Sequence, residues 1–84
     1  MNRKRVYEII DTERDYQENL PATRTDGREH TVGEFLVMGQ YYLDQAIAAW
    51  TMNAGDEAAL EQIRKLAGIC VNCMEKHGAK PRSV

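Results

Sequence analysis

Apolar positions in this chain fall into three runs at helical spacing, separated by two polar breaks rich in turn-forming residues. The longest run lies in TVGEFLVMGQYYLDQAIAAWTM, where Val32, Phe35, Leu36, Gly39, Tyr42, Leu43, Ala46, Ile47 and Trp50 recur at i, i+3, i+4 and i+7. That spacing is the signature of an amphipathic helix. Thr31 offers an N-cap and Glu34 the third-position acid of a capping box. A helix is therefore expected over 31–52, at roughly 30 Å long enough to act as the spine of a small domain. Gly39 lowers helix propensity by about 1 kcal/mol against Ala, which points to another helix passing close there. Val37, Met38, Tyr41 and Ala48 make a second apolar stripe on the far side, as expected of a surface presented to a partner helix from another copy.

The two flanking runs predict two more helices. The first covers about 3–20, with Val6, Ile9, Ile10, Glu13, Tyr16, Gln17 and Leu20 along one stripe. Its ends are apolar and its middle is not. A carboxylate is expensive to bury unless paired, so either the stripe lines a half-open cleft or Glu13 has a partner. Pro21 stops this helix. Asp56 reads as the N-cap of the last helix, over 56–77, with Ala59, Leu60, Ile63, Leu66, Ala67, Cys70, Val71 and Met74 inward. Glu61, Arg64, Lys65, Asn72 and Lys76 form its exposed face. Gly78 at C′ and Pro81 beyond it mark the stop. The expected fold is all-α, a three-helix bundle or helical hairpin, as a single domain over 1–84 with 1–2 and 79–84 frayed.

The 84 residues suffice for one small core, and a chain of this size is expected to gain stability by oligomerising. No stretch of about 18 apolar residues is present and the basic N-terminus is not followed by an apolar segment, so the expected compartment is the cytoplasm, with both cysteines reduced. A net charge of −2 speaks against a polymeric nucleic-acid partner. Positive charge is nevertheless clustered, at Arg3, Lys4 and Arg5, at Arg24 and Arg28, and at Lys76, Lys80 and Arg82; such clusters suit a small anion.

The richest source of ligand-type side chains is the loop from Pro21 to His30, PATRTDGREH, which has no apolar anchor. Cys70, Cys73 and His77 share a helix face at a spacing that can hold zinc, with His30 as a possible fourth ligand; packing of small apolar thiols accounts for the same residues without a metal. A nucleophile triad, a phosphate-binding glycine loop and a nucleic-acid motif are all absent from the sequence.

The first helix with E-R-D-Y-Q, the polar loop ending in His30, and the last helix with L-x-x-I-R-K-L-A-G-I-C-V-x-C-M-E-x-H-G together resemble small all-α proteins of bacteriophages. These in turn are similar to the MazG-like nucleotide pyrophosphohydrolases. In that family E-E-x-x-E on one helix and E-x-x-D on the next hold Mg²⁺ beside the nucleotide phosphates. Here Gln40, Tyr41 and Asp44 stand at the first motif, and Glu61 with Arg64 or Lys65 at the second. Three of the five acids are missing, and a cation stands at one of those positions.

The resemblance thus implies a protein that binds a small nucleotide without turning it over, with Arg14, Tyr16, Arg24, Thr25, Arg28, His30, Arg64 and Lys65 as contacts and no metal cofactor. In a phage setting this implies sequestration of a defence signal, such as a cyclic oligonucleotide or an ADP-ribose derivative, in the host-cell cytoplasm. Tyr16, Tyr41, Tyr42 and Trp50 offer stacking faces. Two alternatives stand beside it. One is a working Mg²⁺-dependent pyrophosphohydrolase using Glu13, Asp44 and Glu61. The other is a structural or protein-binding module presenting Val37, Met38 and Tyr41.

Overall fold

The computed structural model describes residues 1–20 and 29–83. Among them are three α-helices and no strand: α1 (Arg3–Glu18), α2 (Val32–Ala49) and α3 (Gly55–His77). A single π-helical turn, Trp50–Ala54, joins α2 to α3. None of these helices is long and apolar enough to cross a membrane.

Each helix end has a local cause. The Asn2 side chain caps α1 by accepting from the Arg5 N–H at 2.9 Å. At the other end the Asn19 side-chain amide donates to the Asp15 carbonyl at 2.8 Å, and the helix stops at Glu18 rather than at Leu20. The capping box of α2 is formed in full. Thr31 Oγ1 accepts from the Glu34 N–H at 3.2 Å, and Glu34 Oε1 accepts from the Thr31 N–H at 2.9 Å. The α-helical pattern ends at Ala49, earlier than the expected Met52, because the chain widens into the π turn. Gly55, at φ +74°, resets the backbone for α3. Asp56 therefore lies inside the first turn of α3, where its Oδ1 accepts from the Trp50 indole N–H at 3.0 Å. The stop is as expected: Gly78, at φ +99°, donates its N–H to the Met74 carbonyl at 2.8 Å.

The spine of the molecule is α3 and not, as the apolar run suggested, α2. Both α1 and α2 pack on α3, and among the described residues they do not approach one another. A helix turns by about 100° per residue, and this places the neighbours of α3 on opposite sides. Arg64, Gly68 and Glu75 meet α1, whereas Ala59, Leu66 and Cys73 meet α2. The result is a slab of three rods with α3 in the middle, 38 × 36 × 24 Å.

A slab has two faces, and the rotation of α3 gives each its chemistry. Lys65, Ile69 and Asn72 look into a groove between α1 and α2. Leu60, Ile63, Cys70 and Met74 look the opposite way, beside Leu36, Leu43, Ile47 and Trp50 of α2 and Val6 and Ile10 of α1.

The buried hydrophobic core is small: Phe35, Ala46, Ala59 and Ile69. Gly39 does mark a close approach, for a Cβ there would lie 3.4 Å from Leu66 Cδ1. Several residues expected inward are exposed, among them Leu36, Leu43, Ile47, Trp50, Leu60 and Cys70. In the second apolar stripe of α2, Val37 and Tyr41 are exposed, whereas Met38 turns into the groove.

Candidate ligand groove

The seam between α1 and α3 explains the polar middle of the first helix. Glu13, 6% exposed, accepts from Arg64 Nε at 2.8 Å and from the Gln17 amide at 3.1 Å. Arg64 also forks onto both carboxylate oxygens of Glu61, at 2.9 and 2.8 Å. Next along the seam, buried Arg14 grips Glu75 with two bonds, at 3.1 and 2.7 Å, and reaches Glu18 at 2.7 Å. These hydrogen bonds hold the Glu18, Glu61 and Glu75 carboxyls below their usual range and push both guanidinium groups further towards the charged form. Both readings of Glu13 open from sequence are realised: its carboxylate is paired, and its stripe lines a groove.

Beside this seam lies the groove, of about 380 Å³, within the range of about 300–1,000 Å³ usual for ligand pockets. One wall is Glu13, Tyr16, Gln17 and Leu20 of α1; the other is Met38 and Tyr42 of α2 with His30; the floor is Lys65, Ile69 and Asn72 of α3. The polar positions follow from what packs beneath them. Gln17 lies over Gly68 because a side chain there would collide with its amide. Its Nε2 donates to Glu13 and, at 3.2 Å, to the Lys65 carbonyl, which turns Oε1 away from any donor. Among the described residues, three buried polar atoms of the lining have no hydrogen-bond partner: Gln17 Oε1, Asn72 Oδ1 and His30 Nδ1. His30 Nδ1 lies 3.8 Å from Glu34 Oε2, too far for a hydrogen bond. The His30 ring stands edge-on to Phe35, and the His30 carbonyl accepts from His77 Nε2 at 2.8 Å, fixing the end of that wall. Among the described residues Lys65 makes no ion pair.

Of the contacts implied by the resemblance, Tyr16, His30 and Lys65 therefore meet in one groove. Arg14 and Arg64 sit in the α1–α3 seam with their guanidinium groups on carboxylates. Arg24, Thr25 and Arg28 lie outside the described residues. Gln17, Tyr42 and Asn72 are further polar or aromatic residues of the lining. Gln17 had a signal, since a polar residue stood on an apolar stripe; Asn72 had none, because its α3 stripe read as solvent-facing.

Among the described residues no three His, Cys, Asp or Glu side chains converge on one point. Glu13 and Glu61 share Arg64, while Asp44 accepts from Gln40 at 2.9 Å on α2. Cys70 is exposed on the apolar face, and His77 is engaged with His30.

No protein-family model, curated protein or solved structure matches the chain, so any reading of function rests on the groove and its residues.

Proposed function

We propose that the groove between α1 and α2 binds a small nucleotide, or a molecule of the same chemistry, and holds it without turnover. The observation that carries this is the lining of the groove: Lys65, without an ion pair among the described residues, lies on its floor between Tyr16 on one wall and Tyr42 on the other. Gln17 Oε1 and Asn72 Oδ1, buried and without a donor among the described residues, are acceptors that the exocyclic amine of a nucleobase reaches once their side chains turn towards the groove. Tyr16 and Tyr42, on opposite walls, offer ring faces for the base, and the Lys65 ammonium offers its charge to a phosphate. Glu13 and Glu61 are bonded to Arg64 and Asp44 lies on another surface; binding is therefore favoured over hydrolysis by that acid set. Sequestration of a signalling nucleotide is the role that this chemistry suits.

Calorimetry with a panel of mononucleotides, cyclic di- and trinucleotides and ADP-ribose tests the reading. At least one should bind and be recovered intact. At about a hundred times Kd it should add about 2.7 kcal/mol, raising Tm by roughly 10–20 °C. Asn72→Leu and Lys65→Glu should abolish the heat. Absence of heat with every member of the panel, or recovery of a hydrolysed product, overturns the proposal.

A further inference from the structure

Among the described residues nothing covers the face of the slab opposite the groove. Leu36, Leu43, Ile47 and Trp50 of α2 lie beside Leu60 and Ile63 of α3, all of them exposed. Because α2 and α3 run antiparallel, their side chains form one continuous apolar surface along both helices. Charge is scarce on it: the carboxylate that borders this stretch, Asp56, is engaged by the Trp50 indole at 3.0 Å.

The areas give the scale. Leu36, Leu43, Ile47, Trp50, Leu60 and Ile63 are between 42% and 70% exposed. Together they present roughly 700 Å² in one copy, so burying them between two copies would remove roughly 1,400 Å², within the range of about 1,200–2,000 Å² of a specific, stable interface. The core gives the reason for permanence. Among the described residues no large side chain is fully buried, and domains of this size need oligomerisation, metals or disulfides when their own core is so small. Cover for such a face must be present whenever the chain is folded, which a second copy of the chain guarantees.

We propose that two copies associate face to face through this surface, stacking their α2–α3 pairs into a four-helix bundle with the two grooves on its outer sides. The near absence of charge lets two identical faces meet without repulsion, as a twofold interface requires. The proposal is independent of what the groove binds, and its test involves no ligand.

Adjacent residues of α2 provide the discriminating pair. Leu36 and Val37 are 70% and 72% exposed in the single chain, but Leu36 borders the apolar face and Val37 does not. In sedimentation equilibrium the wild type should show about twice the 9.6 kDa of one chain. Leu36→Glu and Ile47→Glu should weaken self-association by at least about 100-fold, since each would bury an unpaired charge, and Val37→Glu should leave it unchanged. Melting of the wild type needs no variant to fold: Tm should rise as the chain goes from about 1 to about 100 μM. A wild type with the mass of one copy and a Tm independent of concentration overturns the proposal. So does loss of the dimer in Val37→Glu with retention in Leu36→Glu and Ile47→Glu.

Discussion

Gly68→Ala is expected to destabilise the protein even though Ala is the better helix former. In an ordinary helix interior the exchange gains about 1 kcal/mol. At this position the new Cβ would lie 2.6 Å from Gln17 Nε2 and 3.0 Å from both other atoms of that amide. The amide ends a flexible side chain and swings aside at little steric cost, but doing so gives up the bond to the Glu13 carboxylate at 3.1 Å and the bond to the Lys65 carbonyl at 3.2 Å. A hydrogen bond to a charged partner contributes about 1.5–3 kcal/mol and a neutral one about 1 kcal/mol. Both bonds are long, so the lower ends apply and the loss is about 2.5 kcal/mol, leaving a net destabilisation of about 1.5 kcal/mol. Urea denaturation and thermal melting read this directly, the latter as a fall of roughly 6–12 °C. A double-mutant cycle isolates the cause. In a Gln17→Ala background the same change should stabilise by about 1 kcal/mol, giving a coupling of about 2.5 kcal/mol between the two positions. Gly39→Ala is the internal comparison. Its Cβ would meet only Leu66 Cδ1, at 3.4 Å, so it should be neutral or gain up to about 1 kcal/mol. If Gly68→Ala proves as stabilising in the wild type as in Gln17→Ala, the two bonds of the Gln17 amide do not hold α1 on α3.

Other outcomes follow from the caps and the ion pairs. Thr31→Ala removes the acceptor for the Glu34 N–H and half of the capping box, and should lower stability by about 1 kcal/mol in chemical denaturation; an unchanged midpoint would refute the role of the box. The Glu75 carboxyl is held below its ordinary value near 4.5 by the hydrogen bonds from Arg14. A depressed folded value means that this contribution is fully present above about pH 4.5 and is lost as pH falls through the folded value. Tm should therefore decline below about pH 4.5, and Glu75→Gln should make that acid-side slope shallower; an identical slope would refute the pairing.

How far the sequence could be read depended on whether the controlling contact was local. The capping box at Thr31, the stop at Gly78 and the acids opening α3 depend on neighbours within a turn, and each is visible as a short motif. Gly39 announced its close contact, but the tighter one at Gly68 was hidden within a run that reads equally well with or without it. Glu13 announced that it needed a partner, yet Arg64 lies 51 positions away, and no periodicity says which basic residue arrives. Periodicity also gives one direction per helix, whereas α3 has four: α1, α2, the groove and the open face. This is why Asn72 read as surface and Cys70 as core, when the first lines the groove and the second is exposed. The π turn was not legible, since nothing in WTMNA departs from an α-helical pattern.

The two walls of the groove are fastened to its floor by different forces. Towards its C-terminal end α1 is joined to α3 through Glu13, Arg14, Gln17 and Glu18, all polar links, while α2 is joined to it through Phe35, Leu66 and Ala46, where hydrocarbon meets hydrocarbon. Acid loosens the first kind of joint, by protonating Glu18 and Glu75, and scarcely touches the second. Acidity can therefore move one jaw of this clamp while the other stays put, and the grip on anything between Tyr16 and Tyr42 would follow the jaw that moves.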